Sequence, residues 1–449
     1  MTAQADLHLA ARSIFDAALA ASDASRAVRR AVNFERGQLT VADTGFDLRR
    51  RPTPIYSVAI GKAAGAMASA LDEVLGDALA GGVISAPLLN VALSPRWQVF
   101  GGGHPLPNEA SLEAARAAFA LLRAADGQSA LVIFLVSGGG SAMIEWPRDA
   151  SVTLAELREA NRALVTCGAS IAEINAVRRA VSSVKGGGLS AHAPRATQVT
   201  LIISDTATNE HYNVASGPTF PPPPDTPDAS GVVRRYDLDS RLPPSVLRAV
   251  NQPPSQGATV SHAAPRYQHV LLDNEHAMEV AAEAARALGF RVEIARDVCE
   301  QDVAEGSALL VSRLFELRRR TGVDARPVCL VSGGEFSCPV RGRGVGGRNS
   351  ETALRCAFEL EARADAVSTI DARRTLAFSA GTDGIDGNSP AAGAWSDERT
   401  LARARSLAFD PHEFLETSDA YTFFDALGNT IMTGATGTNV RDLRLMLAR

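Results

Sequence analysis

Short continuous runs of apolar and β-branched residues, each cut off by glycine, serine or aspartate, recur along this 449-residue chain. IYSVAI (55–60) precedes GKAAGAM, ALVIFLV (130–136) precedes SGGGSAM, and VTLII (199–203) precedes SDTAT. Runs without polar alternation suit strands buried on both faces, as in a parallel sheet covered by helices. The stretches between them, such as 107–125 and 153–180, space their apolar residues three and four apart, which predicts helices. The expected class is α/β, with a Rossmann-like parallel sheet in the N-terminal domain and ligand loops at the carboxyl ends of its strands.

Residues 4–33 are alanine-rich, with Leu9, Ile14, Phe15, Ala18 and Leu19 on one predicted helical face that should pack on a sheet. Proline crowds residues 218–265, which removes amide donors and predicts a connection around one short helix near 243–250. The expected division is a domain over 1–250 and a second, smaller α/β domain over 266–449. The second repeats the strand, small-residue loop, helix order: HVLL, RVEIA, PVCLV before SGGE, TLAFS before AGTDG, and a terminal helix after TGATGTNVRDL. No fixed period joins the two series, so a solenoid is excluded.

A net charge of −5 and a pI near 6.0 argue against a nucleic-acid partner. No apolar run approaches the roughly 20 residues that span a bilayer. Cys167, Cys299, Cys329, Cys338 and Cys356 are odd in number and widely spaced, which suggests neither a disulfide framework nor a zinc site. With no basic, apolar leader at the N-terminus, the expected location is the cytoplasm. The 45 basic residues include only two lysines, Lys62 and Lys185, both beside glycine in predicted turns. An ammonium on a flexible stem suits following a phosphate, where a guanidinium fork suits fixed bidentate contacts.

Four loops can carry chemistry. In SGGGSAM (137–143) the glycines let backbone amides turn toward an anion at a helix start. SGGE (332–335) repeats the device and adds Glu335. In VRGRGVGGRNSE (340–351), Arg341, Arg343 and Arg348 alternate with glycines before a helix, which fits a highly charged phosphate better than the formal GxGxxG match at 342–347 fits a dinucleotide. AGTDGIDG (380–387) sets Asp383 and Asp386 three apart, suited to Mg²⁺ on a nucleotide or to a hydroxyl proton. His104, between glycine and prolines, reads as a turn anchor.

GKAAGAM, GHPLPN, SGGGSAM, NAVRRAVSSVKGGGLS, SDTATNEHYNVASGPT, SGGE followed by RGRGVGGRN, SAGTDGIDG and TGATGTN stand in one order. That series resembles the class II glycerate 2-kinases, which end in the so-called MOFRL domain and of which many were labelled hydroxypyruvate reductases. The likeness runs from about residue 8 onward. It implies ATP-dependent phosphorylation of D-glycerate at its 2-hydroxyl, with Mg²⁺, in a cleft between a Rossmann-like domain and a smaller C-terminal one. The family's lysine of the GKAA motif falls on Lys62 and the arginine of its GGRN motif on Arg348.

Lys62 and Arg348, from opposite domains, are then expected to grip the moving phosphoryl, with Asp383 as a third catalytic residue and Asp383 or Asp386 holding Mg²⁺. Substrate and nucleotide contacts are expected from Gly61, Ser137, Gly138, Gly139, Gly140, Ser141, Arg178, Lys185, Asp205, Ser216, Gly333, Gly334, Glu335, Gly346, Gly347 and Asn349. Three departures from the family pattern bear on the acceptor. Thr208, Asn209, Glu210, His211 and Tyr212 stand where Gly-Asp is usual, Arg178 to Ser182 replaces RKHLS, and the GEAR motif is lost around Val303 and Ala304. The expected partner is a glycerate-like hydroxy acid, with a homodimer as the candidate assembly. Two rival readings stay open: an NAD(P)H-dependent hydroxypyruvate reductase and a non-catalytic sensor of a phosphorylated metabolite.

Overall fold

The computed structural model describes residues 3–49, 53–87, 92–207, 210–252, 264–320, 326–366 and 374–449. It separates into two compact units, one of Ala24–Leu271 and one of Met1–Asp23 with Leu272–Arg449.

The Ala24–Leu271 unit opens with an antiparallel meander of β1 (Val32–Glu35), β2 (Gln38–Val41) and β3 (Thr44–Asp47). Arg36 and Gly37, both at positive φ, make the two-residue turn between β1 and β2. Its main sheet holds β4 (Ile55–Ile60), β5 (Leu79–Ala86), β6 (Trp97–Gly101), β7 (Leu131–Ser137), β8 (Thr197–Ile203) and β9 (Arg266–Leu272), in the order β6-β5-β4-β7-β8-β9. Strands β4 to β8 run parallel, as expected of buried apolar runs. Val58, Ile60, Val132, Phe134 and Val136 pack against Ala115, Ala118 and Leu122 of the helix Glu109–Gly127. That helix begins in a capping box between Asn108 and Ser111. Because the chain winds one way from β4 and the other way from β7, a crevice forms between the loops that follow these two strands.

The second unit has β10 (Arg291–Ile294), β11 (Val328–Ser332), β12 (Thr375–Gly381), β13 (Gly393–Asp397), β14 (Thr430–Ile431) and β15 (Asp442–Ala448), in the order β10-β11-β15-β12-β13-β14. Strand β15 runs antiparallel to both neighbours, pairing Arg444 with Ser332 of β11 and Asp442 with Gly381 of β12. The start of β15 therefore lies beside the carboxyl ends of β11 and β12, where the SGGE and AGTDG loops begin.

Four expectations change. The predicted helix over 4–33 breaks at Ser22, giving helices Ala3–Ala21 and Ala24–Ala31. The first packs Leu7, Ala11, Ile14, Phe15 and Ala18 on Ala281, Phe378 and Leu445, so it joins the C-terminal unit and not the 1–250 domain. HVLL belongs to β9 at the edge of the first sheet, which carries that sheet past the expected boundary. The predicted terminal helix is β15: its seven residues are all buried, and an apolar run covered on both faces looks alike as strand or helix to a periodicity argument. The 153–180 helix is two, Leu154–Val165 and Ile171–Val181, each with its own capping box. Among the described residues no helix is long and apolar enough to cross a membrane.

Candidate active site

At the switch point of the first sheet the loops after β4 and β7 are stitched together. The Lys62 amide donates to the Gly138 carbonyl at 2.9 Å, and the Ala63 amide to Ser137 Oγ at 3.1 Å. Gly61 stands at φ 113°, and a Cβ there would lie 2.4 Å from the Ser137 carbonyl oxygen, so only glycine fits. A Cβ on Gly139 would meet Lys62 Cγ at 3.2 Å and His104 Cδ2 at 3.1 Å, so the lysine stem and the imidazole both lie against this glycine. A Cβ on Gly138 would fall 1.9 Å from Asp205 Oδ2, so the carboxylate after β8 presses on the same loop. His104 is thus brought to the loop, where the sequence suggested only a turn anchor.

Ser141 Oγ lies 2.7 Å from Ser216 Oγ, which in turn donates to Asn175 Oδ1 at 2.9 Å. Ala215 and Ser216 both take positive φ, and Gly140 sits close enough to Ala215 that a Cβ would meet it at 2.8 Å. Helix Gly140–Met143 is a single turn. The dipole expected to help this loop hold an anion is therefore small, and the loop amides carry that task.

Of two expected ligand contacts, Lys185 turns inward and Arg178 stays half-buried. Lys185 is 4% exposed and paired with Glu145, itself 3% exposed. Ser182 Oγ donates to the other Glu145 oxygen at 2.5 Å. Burial pushes the Lys185 ammonium below its ordinary range while Glu145 pulls it back. Lys185 is thus held inside the fold by an ion pair, where the sequence reading expected a ligand contact. Arg178 donates from Nε to Asn161 Oδ1 at 3.0 Å, and burial lowers it. In the altered loop, His211 Nδ1 lies 2.9 Å from Ser204 Oγ, while Thr208 and Asn209 fall outside the described residues.

In the C-terminal unit the expected residues gather around one carboxylate that the sequence did not single out. Asp442 receives Arg348 Nε at 2.6 Å, Arg348 Nη2 at 3.2 Å and Asn349 Nδ2 at 2.9 Å. Glu335 meets Arg348 Nη2 at 2.8 Å. Burial alone would lower the Arg348 guanidinium, but Asp442 and Glu335 hold it well above its usual range, so it is a permanent cation. Arg444, 1% exposed, reaches back from β15 to the Gly333 carbonyl and, at 3.1 Å, to the Gly334 carbonyl. It also lies 3.6 Å from the centre of the Phe336 ring. Burial lowers Arg444 to about 10 against the opposing pull of Asp442. The signal was VRDLRL, since charges inside an otherwise apolar strand survive burial only when paired.

Asp386 accepts the amides of Asn349 (2.9 Å) and Ser350 (2.8 Å) and the Ser350 hydroxyl (2.7 Å), capping the helix Arg348–Ala366. It is 1% exposed, and burial raises its carboxyl against the pull of those bonds. Both oxygens are engaged by the helix, so Asp386 does not fit a metal ligand. The cap also fills the helix start that a pyrophosphate would need: a Cβ on Gly347 would meet Asp386 Oδ1 at 2.4 Å. The GxGxxG at 342–347 is therefore no dinucleotide loop. Gly346 donates its amide to Asn388 Oδ1 at 2.8 Å. Of the three loop arginines, Arg341 pairs with Glu351 at 3.0 Å and Arg343 is exposed, leaving Arg348 alone in the cluster. Asp383 is partly exposed beside Gly381, with Oδ1 accepting the Ile385 amide at 3.1 Å. Among the described residues no three His, Cys, Asp or Glu converge to hold a metal.

Residues 10–251 match a family described as Domain of unknown function (DUF4147), and residues 328–442 match the MOFRL family. A glycerate kinase of Homo sapiens is 34% identical over 500 aligned positions, spanning 98% of this chain and 92% of its own. The chain belongs to the MOFRL family. A relative from Agrobacterium vitis, 35% identical over 442 residues (97% of this chain, 93% of its own), is named only provisionally, as a hydroxypyruvate reductase. The crystal structure of glycerate kinase from Thermotoga maritima superposes with a TM-score of 0.81 at 30% identity, covering 99% of this chain and all of that one. The MOFRL match covers β11, β12, Arg348 and, at its last residue, Asp442.

Proposed function

We propose that this MOFRL-family protein transfers the terminal phosphoryl group of ATP to the 2-hydroxyl of D-glycerate, giving 2-phosphoglycerate. One observation carries the reading: Lys62 and the 138–140 glycine loop stand together at the switch point of a doubly wound sheet, in a chain related along its length to glycerate kinases. Phosphoryl transfer asks mainly for alignment and for charge placed where it develops. Lys62 supplies a point charge on a flexible stem, and the amides of the glycine loop line the phosphates. Asp205 and the Ser141–Ser216 pair orient the acceptor hydroxyl, and Arg178 takes the acceptor carboxylate.

Arg348 enters differently from the sequence expectation. Two carboxylates already balance its charge, and Asp442 is 1% exposed where Glu335 is 32% exposed. Glu335 is the partner that an arriving phosphate displaces, while Asp442 keeps the fork in place. A Mg²⁺ that arrives on the nucleotide needs only one or two protein carboxylates. Asp383 fits that task, and the bound cation would neutralise charge on the phosphate oxygens.

The test is ADP release with D-glycerate and ATP, run beside NADH consumption with hydroxypyruvate. Product formation in the first assay and none in the second is the expected outcome. NADH consumption alone would replace this reading with the reductase, and no turnover across a panel of hydroxy acids would leave the sensor.

A further inference from the structure

Asn274 is 6% exposed, begins the helix Asn274–Ala287 and has no place in the chemistry above. Its Oδ1 accepts the Gly334 amide at 2.7 Å, and its Nδ2 donates to the carbonyls of Val440 at 2.7 Å and Asp442 at 3.0 Å. The amide orientation follows from the partners, because one needs an acceptor and two need a donor. The fit is tight: a Cβ on Gly333 would stand 1.9 Å from Asn274 Oδ1. These bonds close a ring in which Asn274 holds Gly334, the next residue Glu335 pairs with Arg348, Arg348 is gripped by Asp442, and Asp442 returns to Asn274.

We infer that Asn274 is a positioning residue for the phosphoryl transfer, tying the Gly333–Gly334 turn to the start of β15 so that Asp442 holds the Arg348 fork in place. The inference rests on the kinase reading for its kinetic consequence and on geometry alone for its structural one. An amide is the side chain that meets all three partners. A carboxylate of the same shape accepts from Gly334 but offers no proton to the two carbonyls, and regains one donor only when protonated.

The surrounding ionisable groups are Asp273, Glu275 and His276 on or beside its own helix, Cys299 and Glu335 on the loops, Arg348 at the start of the helix Arg348–Ala366, Arg441 just before β15, and Asp442 and Arg444 on β15. Comparison with the unsubstituted protein at each pH removes their shared contribution. Burial raises a carboxyl at position 274, bringing its titration toward neutral pH.

The experiment takes N274A and N274D in the full chain and reads hydrogen exchange at the Gly334 amide together with steady-state ADP release. In N274A the Gly334 amide should exchange at least about tenfold faster, while amides of β4 and β7 keep their rates. Turnover should fall about tenfold or more with KM for glycerate changed less than about threefold. For N274D, turnover relative to the unsubstituted protein should rise as pH falls from about 8 to about 6. Unchanged exchange at Gly334, or an N274D ratio flat with pH, overturns the inference. If N274A does not fold, N274D carries both readouts. If the unsubstituted chain releases no ADP, the kinase reading fails while the exchange rates still decide the role of Asn274.

Discussion

Arg348 and Asp442 meet side-on at the mouth of β15, with Nε 2.6 Å from one carboxylate oxygen and Nη2 3.2 Å from the other. Removing one partner of a buried pair leaves an uncompensated charge, at a cost of about 3–5 kcal/mol before solvent access to Arg348 reduces it. D442N should lower the urea midpoint and cut turnover about 100-fold. Glu335, the more exposed partner, should behave otherwise: E335Q should shift stability by under about 1 kcal/mol. Equal losses in both variants would argue against their separate roles.

Lys62 is the second lever. K62A should reduce kcat by about 10²–10³, as when a charge-stabilising donor is removed. K62R should fail as well, because a planar fork cannot occupy the place of an ammonium beside Gly139 and His104. Near-normal ADP release from either variant would remove Lys62 from the chemistry.

Asp386 is assigned to the fold. D386A should cost about 1–2 kcal/mol through the lost cap of the helix Arg348–Ala366, read as a lower denaturation midpoint. The Mg²⁺ concentration giving half-maximal rate should stay within about threefold of normal. A stable variant with a sharply raised Mg²⁺ requirement would restore Asp386 as a ligand.

Glu145 and Lys185 offer a test of a structural pair. K185M alone should destabilise by about 3–5 kcal/mol, because a buried carboxylate loses its cation. The double variant E145L/K185M should recover most of that loss and keep KM for glycerate within about threefold. A large rise in KM in a well-folded double variant would return Lys185 to the substrate.

The parallel core was legible because β4, β7 and β8 are mostly apolar or β-branched, lack a regular polar alternation and are cut off by small residues. The same reasoning found the loops at the switch point, since Gly61, Gly138 and Gly139 lie where side chains have no room. It did not find Asp442 or Arg444, whose identity as buried partners exists only once β15 is inserted between β11 and β12. Asp386 looked like a metal ligand because an aspartate between glycines reads the same whether it caps a helix or faces solvent. The helix Ala3–Ala21 shows its apolar face in the sequence, but local periodicity says nothing about which of two sheets will cover it. The turn at Arg36 and Gly37 lacked the Asn-Gly or Asp-Gly signal by which such hairpins announce themselves.

Strand β15 has a consequence for how the protein is made. The last strand of this unit in chain order lies in the middle of its sheet, and the helix Ala3–Ala21 packs onto that same sheet. Residues 24–271 contain every strand of their own sheet except the end of β9, so they can close during synthesis, whereas the other unit waits with its first helix exposed until residue 448 emerges. A stalled or nonsense-truncated chain would thus carry one finished half and one open, adhesive half, a natural target for chaperones and proteases.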